Sequence, residues 1–531
     1  METMPTDAEG VLAARASFAQ ERMWLLEQME DDAATYNVQM GLRFLGDFDA
    51  RLLRSALDEV VARHEILRTT LETRDGELTQ LIAAPAPVPL PLIDLAAEPG
   101  RLTGIAEEER DRAFDPAAEP PIRALIARMS PTEHVLLVTL DHIAADAASL
   151  HVLHGELVAL YESGLTGVPA TLPELEIQYA DYADWQREWL TGGELDRQIG
   201  HWRTTLDGSG PLDLGVPGPV REPATANRVV PAELIDGLSD LAAAAGAPMY
   251  TVLLSAYALA LAERTGRADL VIGTLLNGRT RTEIEPLIGF FVNTVALRLD
   301  LSGRPTHKEL VERAAAVTLD AYAHQDAPFD QIVAELNPVR ASGRPPFFDV
   351  MFQLADLDHE AVDLPGVRLE PLSLASAPAP VDLVFAILRE GGEHLGVWDH
   401  DASILSPGAI AALQDGFERA LAAMAADPGA RIPEYTGRAA VPTVESVAGV
   451  AEMTPLAEEI GAIWSELLQR PGIEAGDDFF DLGGHSLAAT RLIIRLRAEL
   501  GFPLPVRVIF DHPVLADFAA AVEEKAIAAA G

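Results

Sequence analysis

Val135-Leu136-Leu137-Val138-Thr139-Leu140 is an unbroken apolar, β-branched run, the mark of a strand buried on both faces. Leu150, Leu153, Leu157 and Leu160 then recur at helical spacing. In the second half, a largely apolar segment at 251–264 predicts another helix, and 270–275 another short strand. The first 437 residues therefore mix strands and helices with no short internal repeat, which predicts two α/β lobes of similar size. Near the C-terminus the pattern becomes purely helical. Residues 456–468 show i, i+4, i+7 apolar spacing, and Leu487, Leu492, Ile493, Leu496 and Leu500 repeat it after Ser486.

Punctuation divides the chain. The stretch 207–219 is dense in Gly and Pro, and the residues after Gly437 are small, polar and aperiodic. The expected organisation is a first lobe at 12–207, an inter-lobe connection at 208–225, a second lobe at 226–436, a linker at 437–454 and a small helical domain at 455–526. A length of 531 residues, 49% of them apolar, agrees with several cores rather than one. No run reaches the ~18 consecutive apolar residues of a membrane span, and the N-terminus has no basic segment followed by an apolar one. A soluble, cytoplasmic protein is expected, without membrane attachment.

Charge and cysteine content narrow the chemistry. A net charge of −43 argues against nucleic acid, whose phosphates would be repelled. With no cysteine there is no disulfide, thiolate metal site or cysteine nucleophile, and no metal is expected. Any thiol must come from a prosthetic group.

Ser486 stands behind Gly483 and Gly484 at the start of a predicted helix, where unpaired backbone N–H groups and the helix dipole favour an anion. On spacing alone a helix N-cap is the plainer reading. The string Asp477-Asp478-Phe479-Phe480-Asp481-Leu482-Gly483-Gly484-His485-Ser486-Leu487 resembles the attachment motif of peptidyl carrier (thiolation) domains. That resemblance implies a four-helix carrier with 4′-phosphopantetheine bound covalently to Ser486.

Several segments upstream resemble, in order, the motifs of condensation domains from nonribosomal peptide synthetases. They are Ser17–Trp24, Arg63–Thr69, Tyr179–Trp185, Ile288–Thr294 (with Asn293), His324–Phe329 and Pro346–Phe352. The implied fold is a V-shaped pair of α/β, chloramphenicol-acetyltransferase-like lobes with a tunnel between them. The implied reaction is attack of an acceptor amine on a donor thioester, giving an amide and a free pantetheine thiol. Because both substrates are tethered, much of the rate would come from positioning.

The family's active-site motif reads His-His-three residues-Asp-Gly, and here the segment reads Asp141-His142-Ile143-Ala144-Ala145-Asp146-Ala147. His142 matches the histidine usually assigned to catalysis. An imidazole at a strand end can accept a proton from the attacking amine or hold it by a hydrogen bond; a buried structural histidine is the plainer alternative. Asp146 matches a structural aspartate, with Arg279 as its expected two-pronged partner. Asp141 replaces the first histidine, and Ala147 replaces the glycine. A carboxylate at 141 would favour imidazolium at His142 unless the two side chains point apart. Neighbouring strand residues face opposite sides, so Asp141 is expected to turn into the lobe and to need its own hydrogen-bond partner there. Asp141, Asp146 and Ser149 together are similar to the signature of heterocyclization domains, although Gln353 stands where those usually carry threonine. Three functions follow: amide formation, a cyclizing or otherwise modified condensation, and a non-catalytic platform for enzymes acting on the carrier. No stretch of several hundred residues lies between the lobes and the carrier, so, unless the chain is part of a larger synthetase, no adenylation domain is expected with it. The expected partners are therefore an upstream donor carrier, a separate adenylation enzyme, a phosphopantetheinyl transferase and a downstream synthetase or release enzyme.

Overall fold

The computed structural model describes residues 11–530 apart from 30–35, 75, 216–217, 219–220, 337–346, 357–360, 373, 375–380, 391, 438–452, 469, 481, 483, 485, 501 and 503. Nearly all of the expected linker at 437–454 lies outside these residues, as do the side chains of Ser486 and Leu487.

The first half supplies β1 (Leu12–Arg15), β2 (Asn37–Gly46), β3 (Thr69–Arg74), β4 (Glu77–Ile82), β5 (Leu92–Asp94), β6 (Ile122–Ser130) and β7 (Glu133–Asp141). The second supplies β8 (Pro223–Val230), β9 (Asp269–Leu276), β10 (Asn293–Asp300), β11 (Val350–Asp356), β12 (Val362–Leu364), β13 (Val367–Leu372), β14 (Leu383–Glu390) and β15 (Glu393–Asp401). They form two six-stranded sheets, ordered β12-β13-β2-β7-β6-β5 and β10-β9-β11-β14-β15-β8, and a small sheet β1-β4-β3. β7 runs through the middle of the first sheet and is buried from His134 to Asp141, as its unbroken apolar run requires. The helix after it, Ala147–Thr166, is capped by Asp146, whose side chain accepts the Ser149 N–H, and ends at left-handed Gly167. Its buried residues are Ser149, Leu153, Glu156, Leu157 and Tyr161. Leu150 and Leu160, expected on the apolar face, are only partly buried against that core.

The halves are not separate in space. The hairpin β12–β13, from within the expected second lobe, pairs antiparallel with β2 of the first sheet, Val367 opposite Gly46 and Leu372 opposite Gly41. The connection from β9 to β10 also crosses over, so that Ile284, Leu287, Ile288, Phe290 and Phe291 belong to the first lobe's core. A contiguous 12–207 lobe is thus incomplete by itself: chain from within the expected 226–436 lobe completes its sheet and core. At the C-terminus, helices Pro455–Leu467, Ser486–Leu500, Arg507–Asp511 and Leu515–Ala530 form a separate small core. Leu25, from the first helix of the chain (Phe18–Met29), is buried in that core.

Candidate active site and carrier attachment site

β7 ends at Asp141, and a tight turn follows in which the Ala144 N–H donates to the Asp141 carbonyl. His142 lies at the start of this turn. Its Nδ1 donates to the Ala145 carbonyl at 2.6 Å, which fixes the tautomer and leaves Nε2 as the acceptor. The ring is tilted against Phe290, centroids 4.8 Å apart. Burial pushes the imidazole below its ordinary pKa and outweighs the upward influence of the Ala145 carbonyl, Asp146 and Asp141. Desolvation thus overcomes the pull of Asp141 toward imidazolium.

Asp146 is held from several sides. It accepts from the Ser149 N–H at 2.8 Å, from the Phe291 N–H at 3.0 Å and from Arg279 Nη1 at 2.9 Å. Arg279 does not grip the carboxylate with two prongs. Its Nη2 donates instead to Ser149 Oγ at 2.9 Å and to the Leu287 carbonyl at 3.2 Å, and its guanidinium lies over the Phe291 ring. Ser149 Oγ also accepts the Gly289 N–H at 3.0 Å and lies 2.7 Å from the Gly289 carbonyl. Asp146, Ser149 and Arg279 thus form one clasp between the His142 turn and the crossing segment. Ala147 is exposed at the start of the helix. Asn293 lines a cleft together with Phe290; its Nδ2 donates to the Gln325 and Ala327 carbonyls at 2.7 and 2.8 Å and its Oδ1 accepts the Phe329 N–H at 3.2 Å.

Asp141 turns into the lobe and is 3% exposed. Its Oδ1 accepts the Ile143 N–H at 3.0 Å, and its other contact is a side-chain hydrogen bond with Glu27, which is 9% exposed. Burial first, then the neighbouring carboxyl, pushes Glu27 far above the carboxylate range; burial also raises Asp141. No local pattern pointed to Glu27. The signal was indirect: a buried Asp141 needs a partner.

The cleft is lined among others by Phe18, Arg22, Trp185, Phe290, Gln325 and Asp330; His142 is not among its lining residues and reaches it only through its contact with Phe290. Arg22 and Asp330 bridge it with an ion pair at 3.2 Å, joining the first helix to the second half. The same helix carries Leu25 into the carrier core; burial raises the Glu21 carboxyl pKa on this helix, and the opposing influence of Arg187 is joined by a smaller one from Arg491 of the helix Ser486–Leu500. The carrier therefore rests on the helix that lines the cleft.

Ser486, the candidate attachment residue, opens a helix. Gly484 just before it packs so tightly that a Cβ there would fall 2.3 Å from the Phe479 ring. Gly484 is thereby tied to the buried Phe479, whose carbonyl also accepts its N–H, and this close glycine fits a site that leaves room for a phosphopantetheine arm. Among the described residues one trio, His201, Asp320 and His324, has the spacing of metal ligands. Its imidazoles are stacked, centroids 3.8 Å apart and planes within 5°, so their in-plane lone pairs do not converge on one ion.

Residues 13–437 match the condensation domain family, and residues 458–522 match the phosphopantetheine attachment site family. The chain is 35% identical over 426 residues to a linear gramicidin synthase polypeptide of Brevibacillus parabrevis, covering 78% of this chain but only 6% of that protein. The X-domain from teicoplanin biosynthesis superposes with a TM-score of 0.69 at 30% identity, over 78% of this chain and 96% of that one. The same domain, solved in complex with OxyB, superposes with a TM-score of 0.69 at 30% identity, over 79% of this chain and 94% of that one. The chain belongs to the condensation domain family and carries a phosphopantetheine attachment domain behind it, in the arrangement of nonribosomal peptide synthetases. It spans a small part of the length of the curated relatives it matches first.

Proposed function

We propose that this chain forms an amide bond between an acyl group delivered as a thioester on a separate carrier and an amine held on its own carrier. The observation that carries this reading is His142. With Nδ1 committed to the Ala145 carbonyl and burial favouring the neutral ring, Nε2 can serve as a base or acceptor in an imidazole packed on Phe290, a residue of the cleft wall. The arm on Ser486 supplies the tether and the thiol that present the acceptor. The amine nitrogen bonds to the donor carbonyl carbon, Nε2 takes or holds the amine proton, and the C–S bond breaks to release the donor thiol. The carrier's seat on the cleft-lining helix supports an acceptor delivered in cis, loaded by a separate adenylation enzyme after a phosphopantetheinyl transferase has acted.

Likeness to an X-domain solved with OxyB supports a second reading, in which the chain is a platform for an enzyme acting on the carrier. The cyclizing reading gains less support, because Ser149 is occupied by the Asp146–Arg279 clasp. Intact-mass analysis of the carrier region separates the three. With Ser486 converted, aminoacylated and offered an acyl-loaded donor carrier, the condensed mass should appear and should vanish in His142→Ala. A further loss of water would indicate cyclization. No transfer from any donor, with His142→Ala indistinguishable from wild type, would leave the platform.

A further inference from the structure

A carboxylate has only acceptors, so two carboxyl groups can hydrogen-bond to each other only if one is protonated. Glu27 and Asp141 make such a bond in a buried setting, with Asp141 Oδ1 already committed to the Ile143 N–H. Few charges face the pair. Arg123 on β6 and His142 each act on Asp141 less than burial does, and the Arg123 guanidinium is engaged with Phe114 and the Glu109 and Ala113 carbonyls. In the family pattern a histidine stands at 141, where it would meet Glu27 as a donor or a cation. Aspartate at that position can meet it only through a proton.

We propose that Glu27 and Asp141 are a positioning pair, joined by one shared proton, that locks the helix Phe18–Met29 to the strand end presenting His142. Asp141 flanks His142 on one side, and the Ile143 N–H it accepts flanks it on the other, so the pair fixes the backbone on both sides of the imidazole. Leu25, two residues before Glu27 and so on a different face of the same helix, enters the carrier core. The helix then acts as a strut, with the carrier on one face and the His142 turn on another. The rate consequence rests on the amide-forming reading; the proton sharing does not.

The test uses the full-length chain with Ser486 converted, as wild type, Glu27→Gln, Glu27→Leu and Asp141→His. Infrared difference spectra against Glu27→Gln should show the carbonyl stretch of a neutral carboxylic acid in wild type at neutral pH, absent in Asp141→His. Carbethoxylation of His142, followed by peptide mass, should change rate in Glu27→Leu and return toward wild type in Glu27→Gln, whose amide can still donate to Asp141. Single-turnover transfer should fall about tenfold or more in Glu27→Leu and stay within about threefold in Glu27→Gln. A spectrum without a neutral carboxyl, or a Glu27→Leu chain whose His142 reactivity matches wild type, would overturn the pair. If wild type transfers nothing while the infrared and carbethoxylation arms succeed, the amide-forming reading fails and the pair stands.

Discussion

His142 keeps one ring nitrogen tied to its own turn and the other without a hydrogen-bond partner among the described residues, and burial favours its neutral form. Its lowered pKa predicts that transfer holds steady near neutrality and falls only as pH drops below the ordinary imidazole range, when Nε2 becomes protonated; a pH–rate profile checks this. Removing the ring should cost about 10²–10⁴ in single-turnover rate. Glu27 gives the opposite pH dependence, in stability. Its folded pKa is raised, so its stabilising contribution is complete below the unfolded value of 4.5 and is lost as pH climbs toward about 10. Urea unfolding across that window should show stability declining with pH by up to ~1.4 kcal/mol per unit, and Glu27→Gln should flatten the slope. Of these groups, His142 and Asp146 were legible in the sequence because they lie in one short motif. Glu27 was not, since its partner is over a hundred residues away and no spacing rule joins them.

The turn depends on elements from both halves of the chain. Arg279 and Asp146 are almost fully buried, so Arg279→Leu would strand a carboxylate beside Ser149. A loss of about 3–5 kcal/mol is expected in denaturant unfolding, and lysine, lacking the fork, should not restore it. Gly289 lets the crossing segment close on Tyr179, where an added Cβ would lie 2.2 Å from the ring. Gly289→Ala should cost about 1–3 kcal/mol and slow transfer by shifting the Phe290 wall against His142. β7 and the helix Met249–Thr265 could be read from their own residues, because a strand or helix buried on all sides is apolar throughout. The clasp could be read only in part. A pair was legible from Asp146 and Arg279, but the sharing of the guanidinium with Ser149 depends on where residues 287–291 cross, which local sequence does not encode.

At the scale of the whole molecule, one helix lines the cleft, pairs Arg22 with Asp330, meets the His142 turn through Glu27 and gives Leu25 to the carrier. Leu25→Asp should loosen the carrier without unfolding it, since the rest of the small core comes from the carrier's own helices. The expected outcome is faster protease cleavage in the expected linker at 437–454 and slower cis transfer, with both cores unfolding as in wild type. The hairpin β12–β13 has a different consequence, one for anyone recombining these enzymes. A chimaera cut in the 208–225 connection would exchange not one lobe but one lobe and the edge of the other. The recipient's β2 would then have to recognise a foreign Val362–Leu372 hairpin, strand against strand, or be left as an open edge inviting aggregation. Compatible parents are those whose β2 and β13 faces match, and the hairpin should travel with the first half rather than the second.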